Sequence, residues 1–157
     1  MSLASESLRK AVIQRAGERC EYCLLTSRFQ VGGFELDHVH PVSRGGPTTL
    51  ENLAFACPVC NGSKLNHVDG PDLTTGEVVP LFHPRTQNWH DHFQWSMDSP
   101  FEIVGQTSCG RATIQRLALN DPEMVVCERS TPNSDSTAPR QALDDVGAQY
   151  LLTGQHV

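Results

Sequence analysis

The sequence predicts an α+β fold in which short strands and helices surround a small core. Only 38% of the 157 residues are apolar and 6% are aromatic, whereas globular chains are usually about 45–50% apolar. A large single core is therefore not expected. Six cysteines in a chain of this length indicate that something besides burial of apolar area helps to stabilise the fold.

Four of these cysteines form two C-x-x-C pairs, Cys20/Cys23 and Cys57/Cys60. Each pair can place two thiolates on one tetrahedral ion, at about 2.3 Å from it. A redox C-x-x-C motif needs only one pair and a thioredoxin-like βαβ context, which this sequence lacks. The two pairs therefore predict a structural zinc ion that holds together the ends of a 33-residue insertion.

The region around the cysteines is predicted to form a helix, a strand, a loop, a second strand and a second helix, in that order. Ser5 or Ser7 can cap a first helix that stops at Gly17. Alternation predicts a strand over 34–39, and the apolar run 53–56 predicts a second strand. A short helix is expected at 58–66, with proline in its first turn.

The remainder of the chain shows weaker signals, which divide it into an extension and a tail. We predict three regions: a zinc-clipped core with its N-terminal helix at 1–67, a hairpin and helix extension at 68–129, and a disordered tail at 130–157, rich in Ser, Thr and Pro. The extension is expected to contain a loop at 69–76, a strand at 78–82, a helical turn at 87–92, a hairpin of strands 93–97 and 101–107, and a helix at 111–119.

Four polar residues that lie between the two cysteine pairs or directly after the second pair could carry out chemistry. Asp37 and His38 are adjacent on the first strand, so their side chains point to opposite sides, and one can bind a metal while the other addresses a water. Asn52 follows in the next segment, and Asn61 comes directly after Cys60. This order predicts that a carboxylate and an amide oxygen meet at one hard cation, with a histidine beside it.

These residues lie in sequence that resembles the HNH endonuclease family. The matching segments are ELDHVHPVSRGG at 35–46, LENL at 50–53 and CPVCNGSK at 57–64, with RCEYC at 19–23 typical of the zinc-bearing branch. The resemblance covers about residues 19–67. It implies a ββα-metal (HNH) core that the four-cysteine zinc site holds together and that the extension follows.

The resemblance also implies a role for each residue in metal-dependent hydrolysis of phosphodiester bonds. His38 would be the general base, because a neutral imidazole can accept the proton of the attacking water. Asn52 would orient the loop and imidazole of His38. Asp37 and Asn61 would hold a divalent ion, Mg²⁺ or Mn²⁺, which their oxygen donors favour. Contacts with nucleic acid are expected from Arg44, Lys64 and His40.

One departure from the family pattern concerns the cation ligands. Many members carry a histidine where this chain has Asn61, and some carry another histidine four residues later, where this chain has Leu65. Two protein ligands instead of three predict weaker binding of soft metals. Plainer roles also stay open, since Asp37 and Asn52 are residue types that commonly stabilise turns.

The expected partner is DNA, with RNA not excluded, although the net charge is −6. This acidity favours an alternative somewhat: a zinc module that binds nucleic acid or a protein without cutting. Neither a run of 18 apolar residues nor an apolar N-terminal segment is present, so we expect a cytoplasmic protein without a membrane span or signal peptide. A dimer on DNA is one arrangement that the sequence leaves open.

Overall fold

The computed structural model describes residues 4–29, 33–99 and 101–122 of the chain. Within these ranges four helices and six short strands form a mixed fold with three two-stranded antiparallel sheets, which confirms the predicted α+β class. The predicted tail at 130–157 lies outside the described residues. None of the helices in the described ranges has the length and apolarity of a membrane span.

Helix α1, Glu6–Ala16, begins and ends where its capping residues predict. The hydroxyl of Ser5 accepts a hydrogen bond from the backbone N–H of Leu8 at 3.2 Å, and Gly17 ends the helix in the left-handed conformation at φ 58°. Its buried residue Val12 faces the core, and the helix packs on the second strand.

A ββα unit follows the first cysteine pair. Strand β1, Glu35–His38, pairs antiparallel with β2, Leu53–Ala56, in a register that sets Asp37 opposite Ala54. All four residues of β2 are buried, because the strand lies between α1 and the rest of the core. Helix α2, Pro58–Lys64, starts at Cys57 and packs against β1.

The extension adds two small sheets and a helix. Strands β3, Asp69–Pro71, and β4, Val78–Pro80, pair with each other. The sequence predicted a loop at β3, because Asp-Gly-Pro is typical of turns. Helix α3, Trp89–His92, leads into the hairpin of β5, Phe93–Trp95, and β6, Ile103–Gly105.

Helix α4, Ser108–Leu117, starts three residues before its predicted start. The reason is Thr107, whose hydroxyl accepts a hydrogen bond from Gly110 N at 3.1 Å and caps the helix. Arg111 on this helix binds Asp72 at 2.6 Å and holds the pKa of that carboxyl at about 2. Thr113 accepts a hydrogen bond from the backbone N–H of Phe82 at 2.8 Å.

One hydrophobic core contains side chains from both the ββα unit and the extension. The rings of Trp89 and Phe93 contact each other in a tilted arrangement with centroids 5.2 Å apart, and both belong to the same buried cluster as Leu53 of β2 and Leu117 of α4. The extension therefore packs on the unit that carries the candidate site. The division into regions at residue 67 stays a prediction.

Candidate functional site

The four cysteines of the two C-x-x-C pairs form one buried cluster. Their sulfur atoms all lie within 4.8 Å of one another, and the Sγ atoms of Cys23 and Cys57 are 3.8 Å apart. Four sulfurs at 2.3 Å from a tetrahedral ion are about 3.8 Å apart. The cluster is therefore compatible with zinc, as the cysteine spacing predicted.

The pKa values of Cys23, Cys57 and Cys60 are shifted by their neighbours in the cluster. Hydrogen bonds from the other three sulfurs, that of Cys20 first, lower the pKa of Cys57. The pKa values of Cys23 and Cys60 are raised, with the bond to Cys20 again the largest cause and burial adding to it. Cys57 is therefore a sulfur that ionises readily, and the thiolate is the form in which cysteine binds a metal ion.

The second cluster lies where β1 faces α2. Glu35 and Asp37 are two residues apart on β1 and so share a face of the strand. Asn61 and Lys64 are three residues apart on α2 and share a face of that helix. Asn61 Nδ2 donates a hydrogen bond to Glu35 Oε2, and Lys64 Nζ donates to Asp37. Two carboxylates therefore face an amide and an ammonium.

Asp37 is enclosed by its partners. It is only 5% exposed. The hydroxyl of Tyr22 donates a hydrogen bond to Asp37 Oδ2 at 2.6 Å, and Lys64 Nζ lies 3.1 Å from both carboxylate oxygens. Burial, followed by the negative charge of Asp37, raises the pKa of Tyr22 well above its usual value, so the phenol stays a donor at neutral pH.

His38 at the end of β1 has a different partner. Its Nε2 atom lies 2.9 Å from the hydroxyl of Thr48, and its backbone carbonyl accepts a hydrogen bond from Lys64 Nζ at 2.9 Å. The ring is partly exposed. Among the described residues Nδ1 has no hydrogen-bond partner, so one nitrogen is fixed by the protein and the other is available.

Asn52 fixes the loop that follows His38. Its Oδ1 accepts from the backbone N–H of His40 at 2.9 Å, and its Nδ2 donates to the carbonyl oxygens of His40 and Pro47 at 2.9 and 2.8 Å. A Cβ atom at Gly46 would lie 1.8 Å from the His40 carbonyl oxygen, so only glycine allows this close approach. Asn52 therefore holds the loop, while Thr48 is the residue that contacts the imidazole.

The three residues expected to contact nucleic acid lie in different surroundings. Arg44 is exposed at the end of the 3₁₀ turn Val42–Arg44, and its backbone carbonyl lies 3.0 Å from Nε2 of the exposed His40. Lys64 is 2% exposed. Its ammonium points inward to Asp37, so in this arrangement it does not face a phosphate at the surface.

The residues expected to surround a catalytic ion are neighbours but have separate partners. Asp37 binds Tyr22 and Lys64, while Asn61 binds Glu35. Carboxylate and amide oxygens are the donors that Mg²⁺ accepts, so the donor chemistry fits a hard cation. The ammonium of Lys64 is the positive charge that Asp37 binds in this structure.

Sequence reasoning did not identify Glu35, Tyr22 and Thr48 as residues of this cluster. Glu35 could have been found, because it lies two residues before Asp37 on a predicted strand. Tyr22 and Thr48 are 15 and 10 residues away along the chain from the side chains that they contact. No spacing rule connects residues so far apart, and only the folded arrangement brings them together.

Comparisons with known proteins agree with this geometry. The family model of the HNH endonucleases matches residues 20–67, the segment that holds all four clustered cysteines, β1, β2 and α2. Searches of curated proteins and of solved structures each return no significant match. Residues 20–67 therefore match the HNH endonuclease family model and include a zinc-compatible four-cysteine cluster.

Proposed function

We propose that this protein is a metal-dependent endonuclease that hydrolyses phosphodiester bonds of DNA. His38 is the general base, Asn52 holds the loop beside it, and Asp37 and Asn61 hold a divalent ion, Mg²⁺ or Mn²⁺. Zinc bound by the four-cysteine cluster stabilises the fold. The observation that carries this proposal is the environment of His38 within the HNH domain: a partly exposed ring with Nε2 on Thr48 and Nδ1 available.

The contact with Thr48 engages Nε2 of His38, and Nδ1 is the nitrogen that remains for the role of base. In the neutral tautomer with the proton on Nε2, that N–H donates to the Thr48 hydroxyl, and the lone pair lies on Nδ1. We assign Nδ1 as the atom that takes the proton from the attacking water. The water oxygen bonds to phosphorus, the bond from phosphorus to O3′ breaks, and O3′ takes a proton from solvent. The products are a 5′-phosphate and a 3′-hydroxyl end.

The cation would be held on the face shared by β1 and α2. Asp37 and Asn61 supply a carboxylate and an amide oxygen, and the exposed carboxylate of Glu35 lies beside Asn61. When bound there, a divalent ion stabilises negative charge on the phosphate oxygens during hydrolysis. Binding through Asp37 requires that its carboxylate be shared with, or released by, Lys64.

Arg44 and His40 are the proposed contacts with the DNA backbone. Both are exposed on the loop that follows β1, and a few phosphate contacts supply much of non-specific affinity for DNA. We assign Lys64 to Asp37 instead of to phosphate, because its ammonium is buried. Since the net charge is −6, binding should depend on this local surface and weaken with added salt.

A plasmid assay tests the proposal. Purified zinc-loaded protein should nick or cut supercoiled DNA when Mg²⁺ or Mn²⁺ is added, and His38→Ala should abolish cleavage while one zinc per chain is retained. His90→Ala, a change at an exposed histidine of the extension, serves as the control and should cleave normally. Cleavage by His38→Ala at the wild-type rate would show that the assigned base is wrong. An RNA of the same sequence tests the choice of substrate.

A second candidate is a zinc module that binds nucleic acid or protein without cutting. The observation that favours it is the enclosure of Asp37, which is 5% exposed and paired with Lys64. This function predicts a gel shift with DNA, or capture of a protein partner, without cleavage at any concentration of Mg²⁺ or Mn²⁺. The plasmid assay therefore separates the two functions directly.

A further inference from the structure

We propose that Tyr22 is a positioning residue that couples the Asp37 carboxylate to both the four-cysteine cluster and the extension. This inference rests on the proposed function, because it assumes that Asp37 helps to hold the divalent ion. The contacts of Tyr22 itself suggest this role. Tyr22 lies between Cys20 and Cys23, its hydroxyl binds Asp37, and its backbone carbonyl binds Trp89.

The backbone around Tyr22 is fixed from several sides. Cys20 N donates to Leu25 O at 2.8 Å, and Leu24 N donates to Cys20 O at 2.9 Å, which closes the turn that carries the first cysteine pair. Glu21 N donates to Phe55 O on β2 at 2.8 Å. An ion on Cys20 and Cys23 would hold the same turn. Tyr22 therefore projects from a turn whose backbone is held by several hydrogen bonds.

The side chain of Tyr22 transmits this constraint to Asp37. The ring is fully buried, and the O–H···O distance of 2.6 Å is that of a hydrogen bond to an ionised acceptor. With Oδ2 held by Tyr22 and Lys64 approaching from α2, the carboxylate can adopt few orientations. Hydrogen bonds from outside the ligand shell orient ligands in this manner, and their loss typically weakens metal binding about 10–100-fold.

The extension reaches the candidate site through the same turn. Trp89 Nε1 donates to the carbonyl oxygen of Tyr22 at 2.9 Å, and Arg85 forms an ion pair with Glu21. Trp89 is 7% exposed and belongs to the shared core. Trp89 and Arg85 of the extension thus bind Tyr22 and Glu21, the two residues between Cys20 and Cys23. The extension therefore contributes to the geometry at Asp37.

Removal of one oxygen atom tests the inference. Tyr22→Phe keeps the ring and should keep one zinc per chain, but Mn²⁺ affinity, measured by electron paramagnetic resonance of free Mn²⁺ in zinc-loaded protein, should fall about 10–100-fold. The kcat for plasmid cleavage should fall with it, while KM for DNA stays unchanged. Thr113→Val is the matched control, because it also removes a buried hydroxyl but does so in the extension, and it should leave Mn²⁺ affinity unchanged.

Each outcome decides between clear alternatives. Equal Mn²⁺ affinity and kcat in Tyr22→Phe and wild type would overturn the inference, as would an equal loss in Thr113→Val. If Tyr22→Phe does not fold, Trp89→Phe replaces it. That variant should weaken Mn²⁺ binding about 2–10-fold, and unchanged binding there would overturn the inference. Wild-type protein that fails to cut DNA would overturn the proposed function, whereas the Mn²⁺ comparison would still decide the role of Tyr22.

Discussion

The ammonium of Lys64 and the carboxylate of Asp37 form an ion pair at 3.1 Å in which both side chains are almost fully buried, 2% and 5% exposed. Removing two charges from water is costly, and the attraction within a buried pair offsets that cost only where further hydrogen bonds are made, such as the one that Tyr22 donates to Asp37. The pair also links β1 to α2 at the point where the candidate site lies. Stability and the geometry of the site therefore depend on the same contact.

Loss of the Lys64 charge should destabilise the protein strongly. Lys64→Met keeps the length of the side chain but leaves the Asp37 carboxylate buried with only Tyr22 as a partner. We expect a fall of about 3–5 kcal/mol in the free energy of unfolding, the usual cost of breaking a buried pair. Urea unfolding of the zinc-loaded protein at pH 7 measures it.

The double variant Asp37→Asn/Lys64→Met is the control for this prediction. It removes both charges, so its loss of stability should be smaller than the sum of the two single losses by more than about 1 kcal/mol. Additive losses would mean that the two charges do not stabilise each other, and the pair would then be a consequence of packing alone.

Thr48 should affect catalysis by the proposed nuclease more than stability. Thr48→Val removes the hydroxyl that contacts His38 Nε2, so the ring loses its preferred tautomer and orientation, and kcat should fall about tenfold while KM for DNA is unchanged. Thr48→Ser keeps the hydroxyl and should retain most of the activity. Thr48→Val replaces the hydroxyl by a methyl group, whereas Thr48→Ser keeps it, so equal kcat values in the two variants would contradict the assigned contact.

Zinc removal should unfold the ββα unit. A structural zinc ion contributes on the order of 10 kcal/mol to folding, which is comparable to the total stability of a typical domain. A chelator under reducing conditions should release about one zinc per chain and abolish the near-ultraviolet circular dichroism signal. Cys57→Ser should bind zinc poorly. Cys109→Ser, a change outside the cluster, should bind it normally.

Much of the fold was predictable because the residues that define its helices and strands lie within those elements or directly beside them. The capping residues Ser5 and Gly17 bound α1, and the apolar run Leu53–Ala56 marks β2. Asp69–Pro71 was predicted as a loop, since its residues favour turns and only pairing with Val78–Pro80 makes it a strand. Local propensity could not indicate that pairing.

The sequence motif identifies candidate residues but not the contacts that they make. Motif spacing brought Asp37, His38, Asn52 and Asn61 into one region. It also suggested an exposed Lys64, because lysine is almost never buried without a partner. The partner is Asp37, on a strand whose packing against α2 depends on the whole ββα unit. An ion pair between distant segments is a property of the tertiary fold, which the sequence pattern does not encode locally.

The carboxylate of Glu21 joins three parts of the structure. It binds Arg15 of α1 at 3.1 Å, Arg85 of the extension, and the backbone N–H of Phe55 on β2 at 2.8 Å. Glu21→Gln would leave two guanidinium groups side by side without a counter-charge. We expect it to lower the free energy of unfolding by about 2–3 kcal/mol, less than for a fully buried pair because Arg15 is partly exposed.

Two further variants make this prediction specific. Arg85→Met should cost less than Glu21→Gln, because the carboxylate keeps Arg15 and the Phe55 amide as partners. Glu18→Gln, at the exposed ion pair with Arg28, should cost less than about 0.5 kcal/mol. Urea unfolding of the three zinc-loaded variants gives the order directly. If Arg85→Met proved the most destabilising, Glu21 would not be the centre of this network.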